Sequence, residues 1–247
     1  RLCSRVSTAH FLVLLFLSVC GILQTMKKYK DVIVAVALIG IIVAAIVFAT
    51  TPKKATIDSG QTASLGNILQ SGTANAWMKG NPSALVMLVE YSDFQCPACG
   101  SYYPIVKRIM AEFGDRINLT YRHFPLRRIH ESADLAARAS EAAGNQGKFW
   151  EMHDMLFENQ ARWTFIPMAA GTAIEGYAKS LGLDIDAFKK DLNSKETRDK
   201  VEKDYQSGVT AGVGHTPTFF INGKEMPNPR SYDEFKNTIN QALGPQS

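Results

Sequence analysis

The sequence predicts an α/β protein: a small mixed sheet interrupted by a block of helices, behind an apolar N-terminal segment. Three observations lead there. Short apolar runs of strand length stand near both ends of the region after residue 76, and a long stretch of helical periodicity separates them. An Asn-Gly pair between two strand-like runs marks a hairpin close to the C-terminus. The 247 residues are 46% hydrophobic and 20% charged, which is the balance of a globular chain. The net charge of +4 is modest and no dense Lys/Arg cluster is interleaved with aromatics, which argues against nucleic-acid binding.

Taken in order, the chain opens with "HFLVLLFLSVCGIL" (His10 to Leu23), apolar but short for a membrane span. Met26 then opens a segment that reads as a start of its own: Lys27, Lys28 and Lys30, followed by an uncharged run from Val32 to Ala49. That is the pattern of a signal-anchor, and the lysines favour the cytoplasmic side, so the rest of the chain is expected outside the cytoplasm. A cleaved signal peptide is the rival reading. We therefore divide the N-terminal part into an extension (1–25), a transmembrane signal-anchor (26–50) and a flexible linker rich in Ser, Thr, Gly and Asn (51–76).

"ALVMLVEY" (Ala84 to Tyr91) is a nearly continuous apolar run, as expected of a strand buried on both faces. Ile105, Ile109, Met110 and Phe113 keep helical spacing, with Pro97 suited to the first turn, Pro104 expected to kink the helix and Gly114 to end it. "RINLTYRHFPL" alternates as a strand and stops at Pro125. Helical stretches are expected over His130 to Ala143, Gly147 to Gln160, Ile174 to Leu181 and Ile185 to Tyr205. Within them, Phe149, Trp150, Met152 and Phe157 read as packing residues, and "KKDLNSKETRDKVEKD" as a solvated helical face. "HTPTFFINGKEM" supplies the hairpin, and Ser231 to Leu243 a last amphipathic helix.

Cys96 and Cys99 are the only cysteines after the N-terminal region. A bare C-x-x-C serves redox, zinc and structural ends alike. Zinc needs four ligands and no second cysteine pair exists, while His123, His130 and His153 are not at finger spacing. These histidines are expected to be structural. A disulfide closing so small a loop adds little stability through chain entropy, so a staple is a poor explanation. The redox reading fits: Cys96 follows a strand at the start of a helix, where free N–H groups and the helix dipole favour a thiolate. Cys99, one turn further in, is expected to be more buried.

"WMKGNPSALVMLVEYSDFQCPAC", "YRHFPL", "EAAGNQGKFWEMHDMLF" and "GVGHTPTFFINGK" together resemble the DsbA-like branch of the thioredoxin-fold thiol–disulfide oxidoreductases. The resemblance runs from about Trp77 to the C-terminus. It implies a thioredoxin fold over 77–247 with a helical domain inserted at about 127–206. It further implies that Cys96 is the exposed nucleophile, Cys99 its resolving partner, and Pro217 a cis-proline facing them. Thr216 would pair through its backbone with an extended substrate, beside Pro97 and Ala98, and Glu90 would assist proton transfer at Cys99. The prototype carries a His between its cysteines, where this chain has Pro97-Ala98; we expect His215, two residues before Pro217, to substitute in part.

The function so implied is oxidation of thiols in exported or periplasmic proteins, with no cofactor and no metal, and with reoxidation by a quinone-linked membrane enzyme. A disulfide reductase or isomerase with the same residues is the alternative. From other classes, a membrane-tethered peptide-binding chaperone and a zinc-holding adaptor are the competitors.

Overall fold

The computed structural model describes residues 76–165 and 167–244. The expected extension, the anchor and nearly all of the linker lie outside them. Among the described residues no helix is long and apolar enough to cross a membrane.

Five strands form one sheet: β1 (Trp77–Gly80), β2 (Val86–Ser92), β3 (Ile117–His123), β4 (Thr218–Ile221) and β5 (Lys224–Met226), in the order β1-β3-β2-β4-β5. Only β2 and β3 are parallel; the other pairings are antiparallel. Parallel neighbours need a crossover, and helix α1 (Pro97–Phe113) provides it. Six helices stand between β3 and β4: α2 (Ala133–Gly144), α3 (Phe149–Glu158), α4 (Gln160–Thr164), α5 (Pro167–Ser180), α6 (Ile185–Leu192) and α7 (Lys195–Thr210). Helix α8 (Tyr232–Leu243) closes the chain. The order of a mixed sheet, an inserted helical block and a returning hairpin matches the sequence expectation.

Alternation along β2 sorts its side chains between two cores. Val86 and Leu88 pack with Val106, Ile109 and Phe113 of α1 and with Phe235 and Ile239 of α8. Each such apolar side chain taken out of water contributes about 1.5–3 kcal/mol. On the other face, Val89 and Tyr91 meet Phe124, Val213 and Phe220. Helix α7 comes so near this face that a Cβ at Gly208 would lie 2.6 Å from the Phe124 ring, which explains a glycine in mid-helix. The hairpin turn has both central residues at positive φ, Asn222 at 48° and Gly223 at 79°, as its Asn-Gly signal requires.

Four expectations need correction. Strand β1 was not foreseen; three of its four residues are exposed, so it carries no burial pattern of its own and forms by pairing with β3. Helix α5 starts at Pro167, inside the expected break, because proline suits a first turn. The helix expected over Ile185 to Tyr205 is two helices: Ser194 caps α7 by accepting a hydrogen bond from the Thr197 N–H, which separates it from α6. The stretch "KKDLNSKETRDKVEKD" is not a wholly solvated face, since Thr197, Val201 and Asp204 of α7 are buried.

Asp204 anchors the inserted helices to the sheet. Its Oδ1 accepts from Arg122 on β3 at 2.8 Å, with side-chain exposures of 1% and 2%. Lys200 donates to Asp204 at 3.3 Å and to Glu141 at 3.1 Å, and His123 Nε2 lies 2.8 Å from Glu141. The ligand atoms of His123, Glu141 and Asp204 come within 4.8 Å of one another. The Arg122 and Lys200 cations already neutralise both carboxylates, so the cluster is an ion network.

Candidate active site

Cys96 is the N-cap of α1 and Pro97 its first residue. β2 runs straight into this position, and the helix starts because proline fixes a helical φ without forfeiting a needed N–H. Both cysteines are free thiols. Cys99 is 0% exposed and Cys96 7%. The expected exposed nucleophile is therefore mostly covered; the residues open to solvent beside it are Pro97 and Ala98. The cover comes from the loop before β4, whose Thr216 carbonyl lies 3.5 Å from Cys96 Sγ and accepts from it when the thiol is protonated. The Thr216–Pro217 peptide bond in this loop is cis.

The two thiols are driven apart electrostatically. Cys96 is lowered from the ordinary 9.0 to about 5, first by a hydrogen bond from Cys99. Burial opposes this, and the Thr216 side chain and the backbone N–H groups of Cys99 and Ala98 add to it. The Thr216 hydroxyl, buried without another partner, is a donor waiting for a thiolate. Cys99 is pushed well above 9.0, first by burial and then by its neighbour Cys96. One sulfur is thus an anion at neutral pH and the other a neutral thiol, which is the division of labour that thiol exchange needs.

Iodoacetamide is expected to alkylate reduced Cys96 at a rate that is flat above neutrality and falls as pH drops through about 5. Because the folded pKa lies below the unfolded one, the thiolate stabilises the reduced fold fully above pH 9.0 and less as pH falls toward about 5. Below that the contribution is gone. A rate profile with its midpoint near 9 would contradict the site's electrostatics.

Glu90 lies on β2 and is raised from 4.5 to about 7, chiefly by burial, with Ser92 opposing. His215 is engaged by its own loop. Its ring Nδ1 lies 3.1 Å from the Pro217 carbonyl and 3.3 Å from the Thr218 hydroxyl, and it is not among the leading groups that act on Cys96.

Two residues that hold this turn were missed in the sequence. Asp93 is buried, and its carboxylate accepts from the backbone N–H groups of Gln95 at 2.7 Å and Leu126 at 2.9 Å. His130 Nδ1 completes the set at 2.7 Å from Asp93. Gln160, on the inserted α4, donates through one amide to the carbonyls of Phe94 at 2.8 Å and Cys96 at 2.9 Å. It stands so near Gly100 that a Cβ there would meet Gln160 Oε1 at 2.4 Å. Asp93 had a signal, an acid in the short turn between a strand and the cysteines; Gln160 had none.

A family model described as Thioredoxin matches residues 73–241. The crystal structure of alpha-DsbA1 from Wolbachia pipientis superposes with a TM-score of 0.65 and 23% identity, covering 72% of this chain and 96% of that one. Oxidised BdbD from Bacillus subtilis does so with a TM-score of 0.58 and 28% identity, covering 67% and 91%. Among curated relatives, the Na(+)/H(+) antiporter NhaA 1 of Salinispora arenicola is 39% identical over 147 residues, which are 60% of this chain and 22% of that protein. The chain thus spans less than a quarter of that relative's length.

Proposed function

Since the chain belongs to the thioredoxin family, we propose that it is an extracytoplasmic thiol–disulfide oxidoreductase that oxidises dithiols of exported proteins through Cys96 and Cys99. The observation that carries the direction is the acidity of Cys96, lowered to about 5. A stable Cys96 thiolate favours the dithiol form of the protein, so the disulfide form is a strong oxidant.

In the proposed cycle a substrate thiolate attacks Cys96 Sγ and the S–S electron pair departs to Cys99. A second substrate thiolate then attacks the sulfur bound to Cys96, forming the substrate disulfide and releasing Cys96 as thiolate, a good leaving group at this pKa. Pro97 and Ala98 border the approach, and the Thr216–Pro217 loop is where an extended substrate would lie. The signal-anchor would hold the domain at the outer face of the membrane, where a quinone-linked enzyme would restore the disulfide. Antiport is not carried over from the longer relative, because the match spans only 22% of that protein.

Equilibration of the full chain against glutathione tests the direction. The reduction potential is expected near about −120 mV; a value near about −270 mV would sink the oxidising reading and make the protein a reductase.

A further inference from the structure

Beneath Cys99 lie buried polar side chains that the exchange chemistry leaves partly without a task. Val86 and Leu88 of β2 face α1, so Glu90 and Ser92 continue on that face by alternation. Tyr121 of β3 stands opposite Glu90 in the parallel register and shares a core with Cys99 and Phe94. Glu90 is 3% exposed, Ser92 1% and Tyr121 0%.

The Ser92 and Tyr121 hydroxyls are buried and make no hydrogen bond of ordinary geometry within the protein. Each such group costs about 1–3 kcal/mol, so alanine at 92 and phenylalanine at 121 would suit the fold at least as well. Orphaned buried polar groups call for an explanation, and here both adjoin a carboxyl and a thiol that change protonation. Ser92 acts on all three of its ionisable neighbours, easing the ionisation of Glu90, Tyr121 and Cys99. The other ionisable groups facing the cluster are Cys96, Asp93, whose backbone N–H meets Cys99 Sγ at 3.5 Å, and His153, whose ring centroid lies 4.9 Å from that of Tyr121. His123, further along β3, is taken up by Glu141.

We propose that Ser92 relays a proton between Glu90 and Cys99, with the Tyr121 hydroxyl as the third member of the relay. The relay rests on the exchange reading above. When an incoming thiolate breaks the Cys96–Cys99 bond, the electron pair goes to Cys99 Sγ, where burial disfavours an anion. The Ser92 hydroxyl gives its proton to that sulfur and takes one from the Glu90 carboxyl. One S–H and one O–H bond form, two O–H bonds break, and Glu90 is left as carboxylate. In reoxidation the path reverses: Cys99 gives its proton to Ser92, Ser92 passes its own to Glu90, and the Cys99 thiolate attacks the Cys96 sulfur of the mixed disulfide formed with the oxidising partner. The proton stays inside the protein throughout the cycle.

The test is stopped-flow reduction of the oxidised full chain by dithiothreitol, in water and in deuterium oxide. Ser92→Ala is expected to slow the reduction about 100-fold, the lower end of what a positioned proton donor contributes. It should also abolish the solvent isotope effect, while iodoacetamide reactivity of reduced Cys96 stays as in the wild type. Ser92→Thr, which keeps the hydroxyl, should retain both rate and isotope effect, and Tyr121→Phe should lose part of each. Wild-type rate and isotope effect in Ser92→Ala overturn the relay, as does an unchanged Tyr121→Phe where Ser92→Ala does not fold. A wild-type chain whose disulfide dithiothreitol reduces no faster than free cystine overturns the exchange reading and the relay with it.

Discussion

Replacing Cys99 with serine is expected to end turnover and leave Cys96 locked in a mixed disulfide with whatever disulfide it meets. The Cys96 thiolate, still favoured by the Thr216 side chain and the backbone N–H groups of residues 98 and 99, can attack. The buried second sulfur that would release the adduct is gone. Turnover should fall on the order of 10³-fold or more, as expected when one member of a covalent pair is removed. The adduct is checked by mass spectrometry after mixing with oxidised glutathione, and it should disappear on adding dithiothreitol. Cys96→Ser is expected to be equally inactive but to form no adduct, since Cys99 is fully buried and its thiol is pushed well above the usual range. Adduct formation in Cys96→Ser and none in Cys99→Ser would reverse the assigned roles.

Asp204→Ala is expected to destabilise the protein by about 3–5 kcal/mol, because it removes the buried carboxylate that pairs with both Arg122 and Lys200. The loss extends beyond one pair. Asp204 also receives the His123 backbone N–H and, within α7 itself, Lys200, so the seam between α7 and β3 loses two contacts and the helix one of its own. For a domain of this size the thermal midpoint should drop by roughly 10 °C or more. Circular dichroism checks it, and a drop under about 2 °C would show that the ion network contributes little.

Both predictions bear on how far the sequence could be read. The C-x-x-C pair, the strand before it and the Asn-Gly hairpin are local features with local physical causes, and each was legible. β1 was not, because an edge strand with exposed side chains has no pattern until β3 offers it a register. Asp204 was hidden for a similar reason. Within a run of lysines and acids it looks like every other surface charge, and only the approach of Arg122 from a strand 82 positions away decides its burial. The break between α6 and α7 was legible in principle, since Ser194 is a good N-cap residue, but the surrounding charges kept helical spacing through it. For His215 the family resemblance suggested an electrostatic role by placing its loop near Cys96; the structure adds that its ring Nδ1 is engaged by the loop it sits on.

The grip of α4 on the catalytic turn has an evolutionary consequence. Gln160 takes hold of the turn through the carbonyls of Phe94 and Cys96, groups that every residue type presents. Pro97 and Ala98 project into solvent and take no part in that grip. The side chains between the cysteines are therefore free of the contacts by which α4 holds the turn, although Pro97 still starts α1. Selection can exchange those two residues, and with them the oxidising strength of the pair, without renegotiating the rest of the molecule.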